Sequence, residues 1–174
     1  VIQGGTYEDL RKKSAEFVGG LYKQGKIDGI AVGGVAVGEQ KARIKQVIRW
    51  TSQWLPKDAP KYLMGIGEPE DIVYATKYGF KMFDCVLPTR LGRHGVVYQQ
   101  KIPKFKLQIT NKYQIQNNKY EKLDLKKSKF KTDKKWAYLH HLVKLKEIEG
   151  LRQISINNLE VYYELMQSIS LLHG

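Results

Sequence analysis

The sequence predicts an α/β fold in which parallel strands are joined by crossover helices. Two observations carry this prediction. Over residues 1–87, short apolar runs alternate with longer amphipathic segments at the spacing of strand–helix–strand units. Three of those runs end in glycine-bearing turns, at Gly4-Gly5, Gly33-Gly34 and Gly65. Glycine there permits sharp turns and close backbone approach.

Taken in order, "VIQGG" reads as a short strand closed by a glycine turn. "TYEDLRKKSAEFVGGLYKQG" follows as a helix with Thr6 as N-cap. "IDGIAVGG" is the next strand, and "GEQKARIKQVIRWTSQWLP" the next helix, stopped by Pro56. "KYLMGIG" is a third strand, and "EPEDIVYATKYG" a third helix with Pro69 in its first turn. "KMFDCVLP" reads as a fourth, buried strand that breaks at Pro88 into a loop carrying Arg90 and Arg93.

After Gly95 the pattern changes. "GVVYQQ" and "KFKLQITNKYQIQ" alternate like the two strands of a β-ribbon, followed by a lysine-rich loop. "TDKKWAYLHHLVKLKEI" reads as a helix capped by Thr132 or Asp133 and ended by Gly150. The last segment, "NNLEVYYELMQSISLLHG", is an amphipathic helix with Leu159, Tyr162, Tyr163, Met166, Ile169 and Leu172 on or near one face. The expected division is 1–100, 101–135 and 136–174.

A chain of 174 residues suffices for one domain with a sizeable core, and 42% hydrophobic with 27% charged residues is a globular composition. No apolar stretch approaches the roughly 18–20 residues of a membrane helix. A single cysteine, Cys85, cannot form an internal disulfide and fits a reducing, cytoplasmic location. The first residue is Val1, which leads us to expect a piece whose N-terminal part is missing. The net charge is +13, and residues 101–135 hold 12 lysines against Glu121, Asp124 and Asp133. Such a run is either solvated surface or a phosphate-contacting face. The interleaved Phe105, Tyr113, Tyr120, Phe130, Trp136 and Tyr138 favour RNA.

In parallel α/β folds, ligands gather where the C-terminal ends of the strands meet the loops. Gln3, Gly34, Met64 and Asp84 should therefore face one site. Asp84 is the one acid in the apolar run "MFDCVL". Using "GGVAVGE" as a phosphate loop would be another reading, but it leaves "FDCVLPTR" unexplained.

Four stretches, "IQGGTYEDLRKKSAE", "GIAVGGVAVGE", "YLMGIGEPEDI" and "MFDCVLPTRLGRHG", resemble the bacterial-type tRNA-guanine transglycosylase (queuine tRNA-ribosyltransferase) family. "AYLHHL" and "NNLEVYYELM" resemble its C-terminal helices in the same order. The resemblance implies the C-terminal part of an irregular (β/α)8 TIM barrel, with an appended β-ribbon and C-terminal helices. It also implies exchange of guanine in tRNA anticodons for 7-aminomethyl-7-deazaguanine, a step toward queuosine. The alternative is a non-catalytic RNA-binding relative.

Residue by residue, the resemblance makes Asp84 the nucleophile at the ribose C1′. A carboxylate can stabilise and then capture oxocarbenium character there. It makes Gln3 the reader of the base edge and Gly34 a backbone N–H donor to the base carbonyl. Val35 stands where leucine is common, and its carbonyl would accept from the aminomethyl group. Met64 would pack on the flat base, and Glu39 is a carboxylate near that backbone. Arg90 and Arg93, in the "PTRxGRxG" pattern, would contact the tRNA, with His94 where asparagine is common.

Two departures accompany the match. The family's second catalytic aspartate and its acidic guanine reader belong to an N-terminal half that this sequence lacks, so that half is an expected partner. The family's structural zinc is held by a C-x-C-x-x-C set plus a histidine, a region that also supports a homodimer interface. The corresponding positions here fall at Lys126, Ser128, Lys131 and Asn157, so no zinc and no other cofactor is expected. The adjacent His140 and His141 point in different directions on a helix and cannot substitute.

Overall fold

A computed structural model describes residues 1–35, 40–100 and 120–173. The fold is mixed α/β. The chain divides into two compact units, Val1–Cys85 and Val86–Gly174.

The first unit is built around a parallel sheet. Strands β1 (Ile30–Val32), β2 (Lys61–Leu63) and β3 (Met82–Phe83) lie side by side in chain order. Ile30 pairs with Lys61 and Val32 with Leu63, while Tyr62 pairs with Met82 and Leu63 with Phe83. The expected first strand is reduced to one parallel bridge from Ile2 to Val32, because Gly4 and Gly5, both at positive φ, turn the chain at once.

Helices α1 (Glu8–Lys23), α2 (Lys41–Trp54) and α3 (Pro69–Thr76) make the crossovers. Each presents an apolar stripe at helical spacing. On α2, Ile44, Val47, Ile48 and Thr51 are buried, and on α3 Pro69, Asp71, Ile72, Ala75 and Thr76. Burying a side chain such as Ile48 completely contributes about 1.5–3 kcal/mol. Thr6 is not the cap of α1: Tyr7 holds that position in extended conformation, with its N–H donating to Gly4 O at 3.1 Å. α2 ends where expected, since Leu55 precedes Pro56 and is held extended.

The run "KMFDCVLP" departs most from expectation. β3 lies at the edge of the sheet, and Met82 and Val86 are exposed rather than buried. From Leu87 the chain forms helix α4 (Leu87–Arg93), so Arg90 and Arg93 sit on a helix and not in a loop. Pro88 does not break this helix, because a first-turn proline has no hydrogen bond to lose.

In the second unit, β4 (Val96–Gln100) pairs antiparallel with β5 (Tyr120–Asp124), Val97 opposite Leu123. β5 thus falls within the stretch read as a lysine-rich loop. The expected partner strand, residues 104–116, lies outside the described residues. A short 3-10 turn at Ser128–Phe130 leads to α5 (Ala137–Lys144) and α6 (Ile148–His173). Asp133 Oδ1 accepts from the N–H of Lys135 and Trp136, both at 2.9 Å, ahead of α5.

Gly150 does not end the preceding helix but lies in the first turn of α6. A Cβ there would stand 2.6 Å from Leu142 Cβ, so glycine lets α5 and α6 touch. The break between them comes instead at Lys146, which takes φ +60°.

Val97, Leu123, Leu125, Phe130, Trp136, Val143 and Ile154 form the core of this unit. On α6 the buried positions include Gly150, Ile154, Asn158, Leu165 and Ile169, while Leu159 and Tyr163, expected on the apolar face, are exposed. The side chain of Leu172 is not among those described. Asn158 is completely buried and turns the face. It accepts from Tyr98 N–H at 2.7 Å and donates to Pro88 O at 2.9 Å and Val96 O at 3.0 Å.

Candidate functional site

The C-terminal ends of the parallel strands bring Gln3, Gly33-Gly34, Met64-Gly65 and Asp84 together within the first unit. Gln3 follows the bridging residue Ile2. Its amide lies against the second glycine turn: a Cβ on Gly33 would come 2.8 Å from Gln3 Nε2, and one on Gly34 would come 2.6 Å from Gln3 Oε1. Gly34 also takes φ +62°, a conformation that disfavours L side chains. Met64 joins the group, with its Sδ 3.4 Å from the same Cβ position on Gly33. It is 36% exposed and therefore not a core methionine.

Asp84 closes the cluster, one residue beyond β3. Two donors converge on its Oδ1: the Tyr62 hydroxyl at 2.6 Å and the Gly65 backbone N–H at 2.9 Å. Both favour the charged form, the Tyr62 bond most, and hold the carboxyl below its ordinary range. The same bond pushes the Tyr62 hydroxyl up, since it would otherwise share its site with the carboxylate. The result is an exposed, ionised carboxylate gripped through one oxygen. Neither donor engages Oδ2.

Val35 is buried, its side chain packed into the unit. Glu39 lies outside the described residues. Arg90 and Arg93 are exposed on α4 and belong to the second unit. There, Arg93 and His94 line an open groove of about 220 Å³ with Lys126, Lys146, Val143 and Leu151.

Sequence reasoning missed two residues of the cluster. Tyr62, read simply as strand, orients Asp84. Arg11, which the sequence places only within the first helix, is completely buried. It donates from Nε to Gly5 O at 2.6 Å, and from Nη2 to Gly33 O at 3.0 Å and Gly34 O at 2.7 Å. Its signal was present: Arg11, Ala15 and Val18 share one helix stripe, and the other two are apolar.

The family model for queuine tRNA-ribosyltransferase matches residues 1–170. The chain belongs to this family. Among its relatives, the queuine tRNA-ribosyltransferase of Prochlorococcus marinus is 42% identical over 176 residues, covering 98% of this chain and 44% of the relative. That of Actinobacillus pleuropneumoniae serotype 3 is 44% identical over 171 residues, covering 97% and 42%. That of Nitrosomonas eutropha is 42% identical over 171 residues, covering 97% and 45%. The chain therefore spans less than half the length of these relatives.

The residues at the family's zinc positions do not fit a zinc ion. Lys126, Ser128 and Lys131 are exposed, and Asn157 donates its amide to Tyr98 O at 3.1 Å. Ammonium, hydroxyl and carboxamide groups supply neither thiolate nor imidazole. The nearby His140 is engaged elsewhere, its Nδ1 2.6 Å from Leu125 O. Packing of Leu125, Phe130 and Trp136 holds this region. Among the described residues, no helix is long and apolar enough to cross a membrane.

Proposed function

We propose that this chain carries the base- and ribose-binding side of a tRNA-guanine transglycosylase. The reaction would exchange an anticodon guanine for 7-aminomethyl-7-deazaguanine in queuosine biosynthesis. The observation that carries the reading is the convergence of Gln3, Gly34, Met64 and Asp84 at the ends of successive parallel strands, with Asp84 kept ionised by Tyr62 and Gly65.

An oxygen of Asp84 bonds to the ribose C1′ as the glycosidic C–N bond breaks, and guanine leaves with that electron pair and a proton. The second catalytic aspartate of the N-terminal half gives guanine that proton; it takes one back from the ring N–H of the incoming base as that nitrogen attacks C1′, and Asp84 departs as carboxylate. The Gln3 amide, the Gly34 N–H and the Val35 carbonyl read the edge of the base, while Met64 packs on its face. Arg90 and Arg93 contact the tRNA.

In this reading residues 1–100 form the C-terminal part of a TIM barrel. Residues 101–135 form a basic insertion and 136–174 its terminal helices. The sequential parallel order of the strands supports that assignment. An N-terminal half supplies the second catalytic aspartate and covers the sheet edge, homodimerisation is a further assembly, and the setting is cytoplasmic.

The test is incorporation of labelled guanine into tRNA by this chain, alone and with an added N-terminal half from a relative. Incorporation lost in Asp84→Asn is expected in the second mixture. Incorporation that survives the substitution would overturn the assignment. RNA binding without exchange in any mixture would establish the non-catalytic relative, a reading favoured by the exposed lysines at 126, 127, 129 and 131.

A further inference from the structure

We propose that Arg11 is a positioning residue that sets which chemical group the base meets at Gly34. The inference rests on the base-site reading given above.

In a trans peptide the carbonyl and the following N–H point in opposite directions across one plane. Arg11 Nη2 donates to Gly33 O at 3.0 Å and to Gly34 O at 2.7 Å. Two consecutive peptide planes are thus gripped by their carbonyls from one side. The N–H groups of Gly34 and Val35 consequently face away from the guanidinium. Gly34 needs this grip, because a glycine at positive φ has few barriers to reorienting its flanking peptides. Rotated by half a turn, the 33–34 peptide would offer a carbonyl where it now offers a donor.

The same guanidinium reaches the other base-reading element. Arg11 Nε donates to Gly5 O at 2.6 Å, within the turn that follows Gln3. One planar fork therefore ties the Gln3 turn to the Gly33-Gly34 turn. It acts from α1, where the Arg11 N–H donates to Tyr7 O at 3.1 Å. Gly4 lets helix and turn approach, since a Cβ there would lie 2.8 Å from Arg11 N. A lysine could not copy this: its single ammonium lacks the planar fork that serves separated acceptors at once. The step is purely one of orientation. Arg11 itself touches no substrate.

The test compares guanine with 2-aminopurine, which lacks the base carbonyl oxygen that Gly34 N–H is proposed to meet. Binding of 2-aminopurine to the chain is read from its own fluorescence, and that of guanine by displacement. Wild-type protein should prefer guanine by roughly tenfold, the worth of one well-placed hydrogen bond. Arg11→Met should bring the preference to about unity, and Arg11→Lys to an intermediate value. Arg11→Lys keeps charge and aliphatic stem, and it decides the matter if Arg11→Met does not fold.

Equal weakening of both ligands, with the guanine preference intact, would reduce Arg11 to a structural residue and overturn the proposal. Wild-type protein that binds neither base, even with the N-terminal half of a relative added, would overturn the base-site reading itself, and the proposal with it.

Discussion

Asn158→Asp changes one side chain by little more than a nitrogen for an oxygen, yet it should destabilise the second unit severely. Asn158 is completely buried and serves three backbone groups of α4 and β4. The substitution keeps the acceptor for Tyr98 N–H but replaces the donor facing Pro88 O and Val96 O with an oxygen. Two hydrogen bonds worth about 1 kcal/mol each are lost, and two buried carbonyls then face a negative charge. The expected loss is about 3–5 kcal/mol, comparable to breaking a buried charged pair. At about 2–4 °C per kcal/mol for a chain of this size, the midpoint should fall by roughly 10 °C.

Thermal and urea unfolding, followed by circular dichroism and tryptophan fluorescence, would measure it. The pH dependence adds a second check. A carboxyl surrounded by carbonyls has its folded pKa raised above the unfolded value, so the penalty relative to wild type grows as pH rises and shrinks as pH falls. Asn158→Leu should carry a penalty that is flat with pH. A loss below about 1 kcal/mol, or an Asn158→Asp penalty independent of pH, would refute the account of Asn158 as a three-way clamp.

Other outcomes follow from single contacts. Tyr62→Phe removes the larger of the influences that lower the Asp84 pKa, so the acid limb of the exchange reaction should move to higher pH with a severalfold loss of rate there. An unmoved limb would detach Tyr62 from the nucleophile. The sign for stability agrees: the contribution of a depressed carboxylate is present above its unfolded pKa and lost as pH falls through the folded one, so this variant should lose stability at neutral pH but converge with wild type in acid. Gly34→Ala places a methyl against Gln3 Oε1 at positive φ, and it should cost about 1–2 kcal/mol and abolish guanine binding in a fluorescence displacement assay. Gly92→Ala overlaps Ser155 on α6, including its Cα at 2.7 Å, and should lower stability by about 1–3 kcal/mol in urea titrations. Replacing Lys127, Lys129 and Lys131 by alanine should flatten the salt dependence of RNA binding by about 2–3 in the log–log slope.

The parallel core was legible because Ile30–Val32 and Tyr62–Met64 are short apolar runs set between amphipathic helices. Their glycine endings marked where the loops gather. That is why the sequence places Gln3, Gly34, Met64 and Asp84 at one end of the sheet. The illegible parts share a cause: partners distant in sequence decided them. Met82–Val86 looks like a buried strand, but strand composition says nothing about which strand lies at an edge. Pro88 reads as a breaker, although proline is equally at home in a first turn. Arg11 and Asn158 are polar residues on buried stripes, and nothing local reveals that backbone carbonyls await them. Gly150 resembles a helix stop until Leu142 is seen against it.

The two units also differ in when they can begin to form. In the first, Ile30 meets Lys61 and Leu63 meets Phe83, so each strand finds a partner made shortly before it. Pairing can proceed as the chain leaves the ribosome. In the second, the clamp on Pro88 closes only with Asn158, 70 residues later. Until that asparagine has been synthesised, α4 with its two arginines has no anchor in α6.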